Sequence, residues 1–221
     1  MLMEIYTKKT LLLIIDVQND FCPDGALAVS DGDAVVAPLN TLSGSLAKKG
    51  ALVAATQDWH CPGHISFASS HNGKNPGDII DIANVKGQVL WPDHCVQGTK
   101  GASFHPDLDL NPVTNIIRKG FRQELDSYSA FFENDSSTAT GLEGSIKQTN
   151  IQTVIIGGLA TDYCVFYSAM DCRRLGFNTI VVSDAVRGVN FPEGSVEKSI
   201  TEMKSAGIKF YSTQELLNII K

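Results

Sequence analysis

The sequence lacks the features of membrane, secreted and nucleic-acid-binding proteins. Its longest apolar runs have the length of strands, well short of the roughly 20 residues that a membrane-spanning helix needs. The first ten residues carry an acid where a signal peptide has bases, so we expect no secretion signal. The 18 Lys and Arg residues are dispersed in a chain of net charge -6. We therefore expect neither nucleic acid nor a membrane as a partner.

Cysteine is also scarce, and its spacing is not that of a disulfide framework. The five cysteines are odd in number and include no CxxC pair, which favours reduced thiols in a cytoplasmic protein. What is present is an ordinary globular composition of 43% apolar and 19% charged residues over 221 positions. That length suits one large α/β domain, and we expect a single domain over residues 1–221.

Apolar runs rich in β-branched residues alternate with amphipathic stretches along the chain. Strands are predicted at 10–16, 51–57, 114–119, 153–159, 179–184 and 208–211. Helices are predicted at 33–49, 142–149 and 193–206, and one more runs from the end of the fourth strand to about 175. A capping box formed by Ser212 and Glu215 predicts the start of a last helix. This alternation predicts a doubly wound, mostly parallel six-stranded sheet with helices on both faces.

One long region interrupts this alternation. Residues 58–112 are rich in Gly, Pro and Asn and contain all five histidines. A connection of this length inside a compact domain is usually functional or disordered, and its aromatic residues argue against disorder. We expect this region to contribute to a binding site.

Three chemically matched residues stand at or just after the ends of predicted strands: Asp16, Lys119 and Cys164. Parallel strands end at one edge of a sheet, where ligands bind, so these side chains are expected to converge. A carboxylate, an ammonium and a thiol can together generate a thiolate nucleophile. Thr161 is a candidate N-cap that would place Cys164 in a first helical turn, where the helix dipole favours a thiolate. The alternatives are a capping Asp, a solvated Lys and a buried Cys that only packs.

A second group has the spacing of metal ligands. Asp58 and His60 are two residues apart in an extended segment and face the same way, and His94 can join them from the loop. Two imidazoles and a carboxylate suit Zn, Fe or Mn. His64 is a further candidate ligand, and the alternative is that all four are loop residues that bond backbone. The remaining histidines, at 71 and 105, are expected to be structural or solvated.

Aromatic residues flank these segments. Phe21, Trp91 and Tyr128 could wall a flat pocket of the size of one ring, although core packing is the more common role for Phe21.

Taken together, five motifs resemble those of nicotinamidases, which belong to the isochorismatase-like cysteine hydrolases. They are DVQNDFCPDGAL at 16–27, TQDWH…HISFA at 56–68, WPDHCVQGTKGASFHPDL at 91–108, KG…DSYSAF at 119–131 and GLATDYCV at 158–165. They occur in the family's order and span the chain from the first predicted strand to the fifth. The resemblance implies an isochorismatase-like hydrolase fold and an amidohydrolase that makes nicotinate and ammonia through a cysteine thioester, in NAD salvage.

The resemblance also implies residue roles. Asp16, Lys119 and Cys164 would form a catalytic triad, and the amides of Ala160 and Cys164 an oxyanion hole, with a cis peptide before Ala160. The substrate ring would contact Phe21, Trp91 and Tyr128. The metal ligands would be Asp58, His60 and His94, and His64 corresponds to a ligand in some members only. The implied cofactor is one divalent ion, zinc before iron or manganese. The implied substrates are nicotinamide and related pyridine or pyrazine carboxamides.

The sequence departs from the family pattern at two loop positions and leaves several questions open. Cys61 stands where many members have Pro, and Asp24 where many have Gly. Cys22, Cys61, Cys95 and Cys172 have no assigned role. The oligomeric state is open, a homo-oligomer included. Two rival functions are a metal-free isochorismatase or carbamoyl-amide hydrolase, which has no use for the three metal ligands, and a binding module without turnover, which needs no reactive thiol.

Overall fold

The fold was determined from a computed structural model that describes residues 5–82 and 85–220. The strands are β1 (Thr10–Ile15), β2 (Leu52–Asp58), β3 (Ile79–Ile82), β4 (Val85–Val89), β5 (Asn115–Lys119), β6 (Thr153–Leu159), β7 (Asn178–Arg187) and β8 (Lys209–Tyr211). The α-helices are α1 (Val36–Lys48), α2 (Leu142–Ile146), α3 (Phe166–Arg174), α4 (Ser195–Ser205) and α5 (Thr213–Ile219). No helix in these ranges is both long enough and apolar enough to cross a bilayer.

Six of the strands form one parallel sheet in the order β5-β2-β1-β6-β7-β8. This confirms the predicted doubly wound fold, because helices cover both faces. The chain proceeds from β1 to β2 on one side and later returns to place β6 on the other side. The strand order therefore reverses at β1, and ligands of such sheets bind beside the strand ends at this point.

The central strand β1 explains how one segment supports two cores. All six of its residues are buried. Leu12 and Ile14 pack into the core under α1 and α5, whereas Leu11, Leu13 and Ile15 pack into the core under α3 and α4. Successive side chains of a strand point to opposite faces, so a strand buried on both sides must be apolar throughout.

The described residues between β2 and β5 include a small sheet of their own. β3 and β4 form an antiparallel hairpin separate from the main sheet. Single bridges join His60 to Val96 and Phe67 to Trp91. The predicted capping box is confirmed, because Ser212 caps α5 and Glu215 bonds back to the Ser212 backbone.

Candidate active site

Lys119 is the residue that contacts both carboxylates and the thiol of the site. It ends β5 and is fully buried. Its Nζ lies 2.9 Å from Asp16 Oδ2 and 3.4 Å from Cys164 Sγ, and it donates to the carbonyl of Ser127 at 2.9 Å. The same ammonium also forms an ion pair with Asp58 Oδ1. The structure thus brings together the three predicted strand-end residues around one buried cation.

Asp16 is held at this point by an unusual backbone and a close neighbouring strand. Its φ of 47° lies in the left-handed region, directly after β1. Gly158 on β6 approaches so closely that an added Cβ would lie 2.0 Å from the carbonyl oxygen of Ile15. Thr56 on β2 donates its hydroxyl to Asp16 Oδ1 at 2.6 Å. Three adjacent strands therefore orient this carboxylate.

The turn that carries Cys164 differs from the prediction. Residues 161–165 form a single π-helical turn that leads into α3, and Thr161 lies inside this turn rather than capping it. Ala160 occupies the N-cap position, with no side-chain cap bond. The peptide bond between Leu159 and Ala160 is cis, as the resemblance implied. Ala160 and Cys164 both line the pocket.

The Cys164 thiol and the Asp16 carboxyl both have raised pKa values. Burial raises the pKa of the Cys164 thiol well above its ordinary value, and Asp16 and Asp58 raise it further, while Lys119 opposes them. Burial likewise raises the pKa of Asp16 to about 6, against the opposing effect of Lys119. At neutral pH the thiol is therefore protonated beside a carboxylate that can accept its proton.

Asp58, His60 and His94 converge on one point. Asp58 Oδ2 lies 3.6 Å from His60 Nε2 and 4.0 Å from His94 Nε2. His60 Nδ1 donates to the Gly120 carbonyl at 2.8 Å, and His94 Nδ1 donates to the Pro92 carbonyl at 2.8 Å. A carbonyl can only accept, so Nε2 of each imidazole is the atom that faces Asp58. This is the arrangement in which imidazole binds a metal.

The charges of this group follow from the neighbouring side chains. Burial alone would raise the pKa of Asp58, but Lys119 and His60 outweigh it and hold the pKa well below its usual range. Burial lowers the pKa of His94 to about 4, and His60 lowers it further. Asp58 is consequently ionised and His94 neutral at physiological pH. Burial alone would lower the pKa of His60, but Asp58 outweighs burial and raises it above the ordinary value, so a metal ion bound there would displace a proton.

The other histidines take different positions. His64 is fully buried, and its ring centroid lies 4.3 Å from that of His60. It forms a group with His60 and Asp126 rather than with Asp58 and His94. His71 Nε2 bonds the Ile65 carbonyl at 2.7 Å, a structural role.

A pocket opens above these groups and encloses about 370 Å³ between atoms, part of it open to solvent. Phe21, Trp91 and Tyr128 line it as predicted, and Phe21 also belongs to the core under α1. Trp91 Nε1 donates to the Tyr128 hydroxyl at 3.1 Å, which fixes the two rings together. The sequence interpretation missed four further lining residues: Leu27, Asp126, Tyr163 and Val189.

Two side chains of the first motif support the metal-ligand group, and they too were missed. Gln18 clamps Asp58: its Nε2 donates to the Asp58 carbonyl and its Oε1 accepts from the Asp58 amide, each at 2.8 Å. Asp20 Oδ2 accepts the Cys95 amide at 2.7 Å, next to His94. Their place in the run after β1 was the only available signal.

The departure from the family pattern at position 24 has a structural reason, and the cysteines differ in their exposure. Asp24 has a φ of 69°, which explains why glycine suits this position and why aspartate is tolerated there. All five cysteines are free thiols. Cys22, Cys95 and Cys172 are buried, and Cys61 is partly exposed.

The chain belongs to the isochorismatase domain family, which matches residues 10–215. It is 45% identical over 206 residues to the nicotinamidase of Acinetobacter baylyi, covering 93% of this chain and 94% of that protein. A solved Acinetobacter baumanii nicotinamidase/pyrazinamidase has a TM-score of 0.90 at 44% identity, covering 95% and 98% of the two chains. Pyrococcus horikoshii pyrazinamidase in complex with zinc has a TM-score of 0.75 at 34% identity, covering 92% and 99%.

Proposed function

We propose that this chain is a nicotinamide amidohydrolase, which converts nicotinamide and water to nicotinate and ammonia in NAD salvage. The observation that carries the proposal is Lys119, whose Nζ lies 2.9 Å from Asp16 and 3.4 Å from the Cys164 sulfur at the base of an aromatic-walled pocket. The substrate follows from the Acinetobacter relatives, which are nicotinamidases at 45% and 44% identity.

In the first half-reaction, Asp16 removes the proton of the Cys164 thiol. The sulfur attacks the carboxamide carbon, and the oxygen that becomes negative is held by the amides of Ala160 and Cys164. Asp16 then gives its proton to the amine as the carbon–nitrogen bond breaks. Ammonia leaves, and the acyl group remains on sulfur as a thioester.

In the second half-reaction, Asp16 takes a proton from water, which attacks the thioester carbon. The carbon–sulfur bond breaks and Asp16 returns the proton to Cys164, while the acid that forms releases its remaining proton to solvent and leaves as nicotinate. Lys119 stays protonated throughout: burial alone would lower the pKa of its ammonium, but Asp16 and Asp58 outweigh burial and raise it well above its ordinary value. Its fixed positive charge stabilises the thiolate and the carboxylate in turn.

We also infer that Asp58, His60 and His94 hold one divalent ion. The donor set suits Zn, Fe or Mn, and zinc is favoured because the Pyrococcus pyrazinamidase is in complex with zinc. When bound, the ion supplies a Lewis-acid contact for the nitrogen of a pyridine or pyrazine ring. Asp58 shares its other oxygen with Lys119, so the chain links the position of the ring to the base of the pocket.

The rings of Phe21, Trp91 and Tyr128 are assigned to the flat faces of the substrate. A hydrogen bond between Trp91 and Tyr128 and a tilted ring contact between Phe21 and His94, at 5.5 Å between centroids, keep this wall rigid. The rigidity favours orientation of the carboxamide toward the sulfur. The same wall accepts pyrazinamide, because a second ring nitrogen changes the ring's shape little.

The test is ammonia release from nicotinamide by the purified protein, with and without a chelator. We expect turnover that falls on chelation and returns with added zinc. No ammonia from any pyridine carboxamide would reject the proposal. Full activity in protein shown to be metal-free would instead favour a metal-free amide hydrolase of the same family.

We further propose that residues 1–221 form one hydrolase domain, and that its free thiols suit the cytoplasm.

A further inference from the structure

Thr56 is a buried hydroxyl with no role in the mechanism described so far. It lies on β2, next to the end of β1, and is fully buried. Its Oγ1 donates to Asp16 Oδ1 at 2.6 Å and accepts the Asp16 backbone N–H at 3.1 Å. One hydroxyl thus binds the backbone and the carboxylate of the same residue, which fixes the side-chain rotamer of Asp16.

The two oxygens of Asp16 are consequently different. Oδ1 is committed to Thr56. Oδ2 lies 2.9 Å from Lys119 Nζ as an ion pair. Thr56 thus occupies one oxygen of Asp16 and leaves the other, beside Lys119, for proton exchange with Cys164, whose thiol bonds this carboxylate.

We propose that Thr56 is a positioning residue for the general base, which holds Asp16 so that Oδ2 exchanges the proton with Cys164 and with the leaving amine. The inference rests on the proposed function, because it takes Asp16 as the base. Thr56 touches neither the reacting sulfur nor the ring, and it acts only through the orientation and charge of Asp16.

Three ionisable groups face Asp16 from the elements packed against it. They are Lys119 from β5, Asp58 at the end of β2, and Cys164 from the turn before α3. Thr56 is the neutral donor among them, and its hydrogen bond favours the ionised carboxylate. Without this hydrogen bond the ionised carboxylate is less stable, so the pKa of Asp16 rises.

The test compares Thr56→Val, which has the same shape without the hydroxyl, with Thr56→Ser, which keeps the hydroxyl. Loss of the hydroxyl lets the Asp16 carboxylate turn away from Cys164, and misplacement of a catalytic group can cost roughly 10²-fold, so Thr56→Val should lower kcat by about tenfold or more. Its KM should change less, because the ring contacts remain. The acid limb of kcat/KM should move about one pH unit upward, because a hydrogen bond to a charged group contributes roughly tenfold or more. Thr56→Ser should restore both properties.

The matched control is Thr10→Val. Thr10 is also fully buried, but it lies at the other end of β1 and bonds the Tyr6 carbonyl at 2.9 Å. This control should lose stability and keep the wild-type pH profile. Thr56→Ala, which adds no new contact, carries the same expectation as Thr56→Val if the valine variant does not fold.

Two readouts separate this inference from the proposed function. Native kcat and an unshifted acid limb in Thr56→Val would overturn the role of Thr56 while nicotinamide hydrolysis by the wild type still stands. If the wild type does not hydrolyse nicotinamide, the pH profile of Cys164 alkylation by iodoacetamide decides. An acid limb displaced upward in Thr56→Val supports the role of Thr56 without the nicotinamidase assignment, and an unshifted limb overturns it.

Discussion

The two sides of the pocket are built in different ways. One side, here called the floor, consists of Cys164, which lines the pocket, and of Asp16 and Lys119, which lie behind it; all three stand at or just after the ends of strands of the main sheet. The loop side, formed by His60, Trp91 and His94, lies in the irregular region between β2 and β5. Sheet register determines the positions of the floor residues. Hydrogen bonds from distant side chains and carbonyls determine those of the loop side.

The comparison indicates a division of labour. The floor contains the nucleophile, the base and a fixed cation in a buried environment, so it is suited to bond making and breaking. The loop side contains the imidazoles and a ring of the aromatic wall, so it is suited to ring binding. Asp58 joins the two, because Oδ1 pairs with Lys119 and Oδ2 faces both histidines.

Removal of the nucleophile should have the largest effect. Cys164→Ala should abolish ammonia release and leave nicotinamide binding intact, because the loop side is unchanged. Ammonia release and binding by calorimetry check the two parts. Clear turnover by the pure variant would contradict the assignment of the chemical steps to the floor, because the nucleophile would then be dispensable.

Asp16→Asn should cost about 10²–10⁴ in kcat, because an amide cannot take the proton of the thiol. Binding of nicotinamide should change little. Steady-state kinetics at neutral pH measure the loss. Near-normal activity would show that another group is the base.

Benzamide tests the loop side alone, because it has the carboxamide but no ring nitrogen. A site built around one polar contact rejects an analogue that lacks it, and we expect a loss of at least about 10² in kcat/KM. Chelation should reduce nicotinamide turnover far more than benzamide turnover. Equal specificity constants for the two amides would contradict a ring-binding metal.

Gly120→Ala should weaken metal binding by the loop side, because Gly120 lies against His60 and directly follows the floor residue Lys119. Gly120 has a φ of 62°, and an added Cβ would lie 2.5 Å from His60 Cε1. Displacing a second-sphere partner of a ligating histidine typically costs about 10–100-fold in metal affinity. Zinc titration measures this loss. The matched control is Gly44→Ala in α1, where an added Cβ has no atom within 4 Å; equal affinities in both variants would reject the role of Gly120.

The smallest effect is that of pH. Burial raises the pKa of Asp16 to about 6, and the carboxylate is the active form. The value of kcat/KM should therefore fall roughly tenfold per pH unit below that point and level off above it. A profile that stays flat down to pH 4, roughly the ordinary pKa of Asp, would mean that Asp16 is not protonated in this range.

Much of the fold was predictable because the central strands β1 and β6 are buried on both faces and appear as continuous apolar runs. All six strands of the main sheet were located to within a few residues, although the edge strands β5 and β8 are only partly buried. The β3–β4 hairpin was missed. Ile79 at its start is 64% exposed, and the hairpin sequences IIDI and VKGQV lack a buried run.

The site was predictable only in part. Strand ends and the spacing of Asp58 and His60 indicated which residues would meet. The raised pKa of Cys164 was not predictable, because it depends on burial and on carboxylates that tertiary structure brings near. Thr56 and Gln18 were missed because each acts on a residue 40 positions away, which leaves no local pattern.

The most direct test of the account is whether the acyl group of the substrate passes through Cys164. The wild-type protein is mixed with nicotinamide, quenched with acid during turnover and mapped by peptide mass spectrometry. We expect a nicotinoyl thioester on the peptide that contains Cys164, and none in the Asp16→Asn variant. Full turnover with no acyl group on that peptide at any quench time would contradict the account, because water would then attack the amide directly.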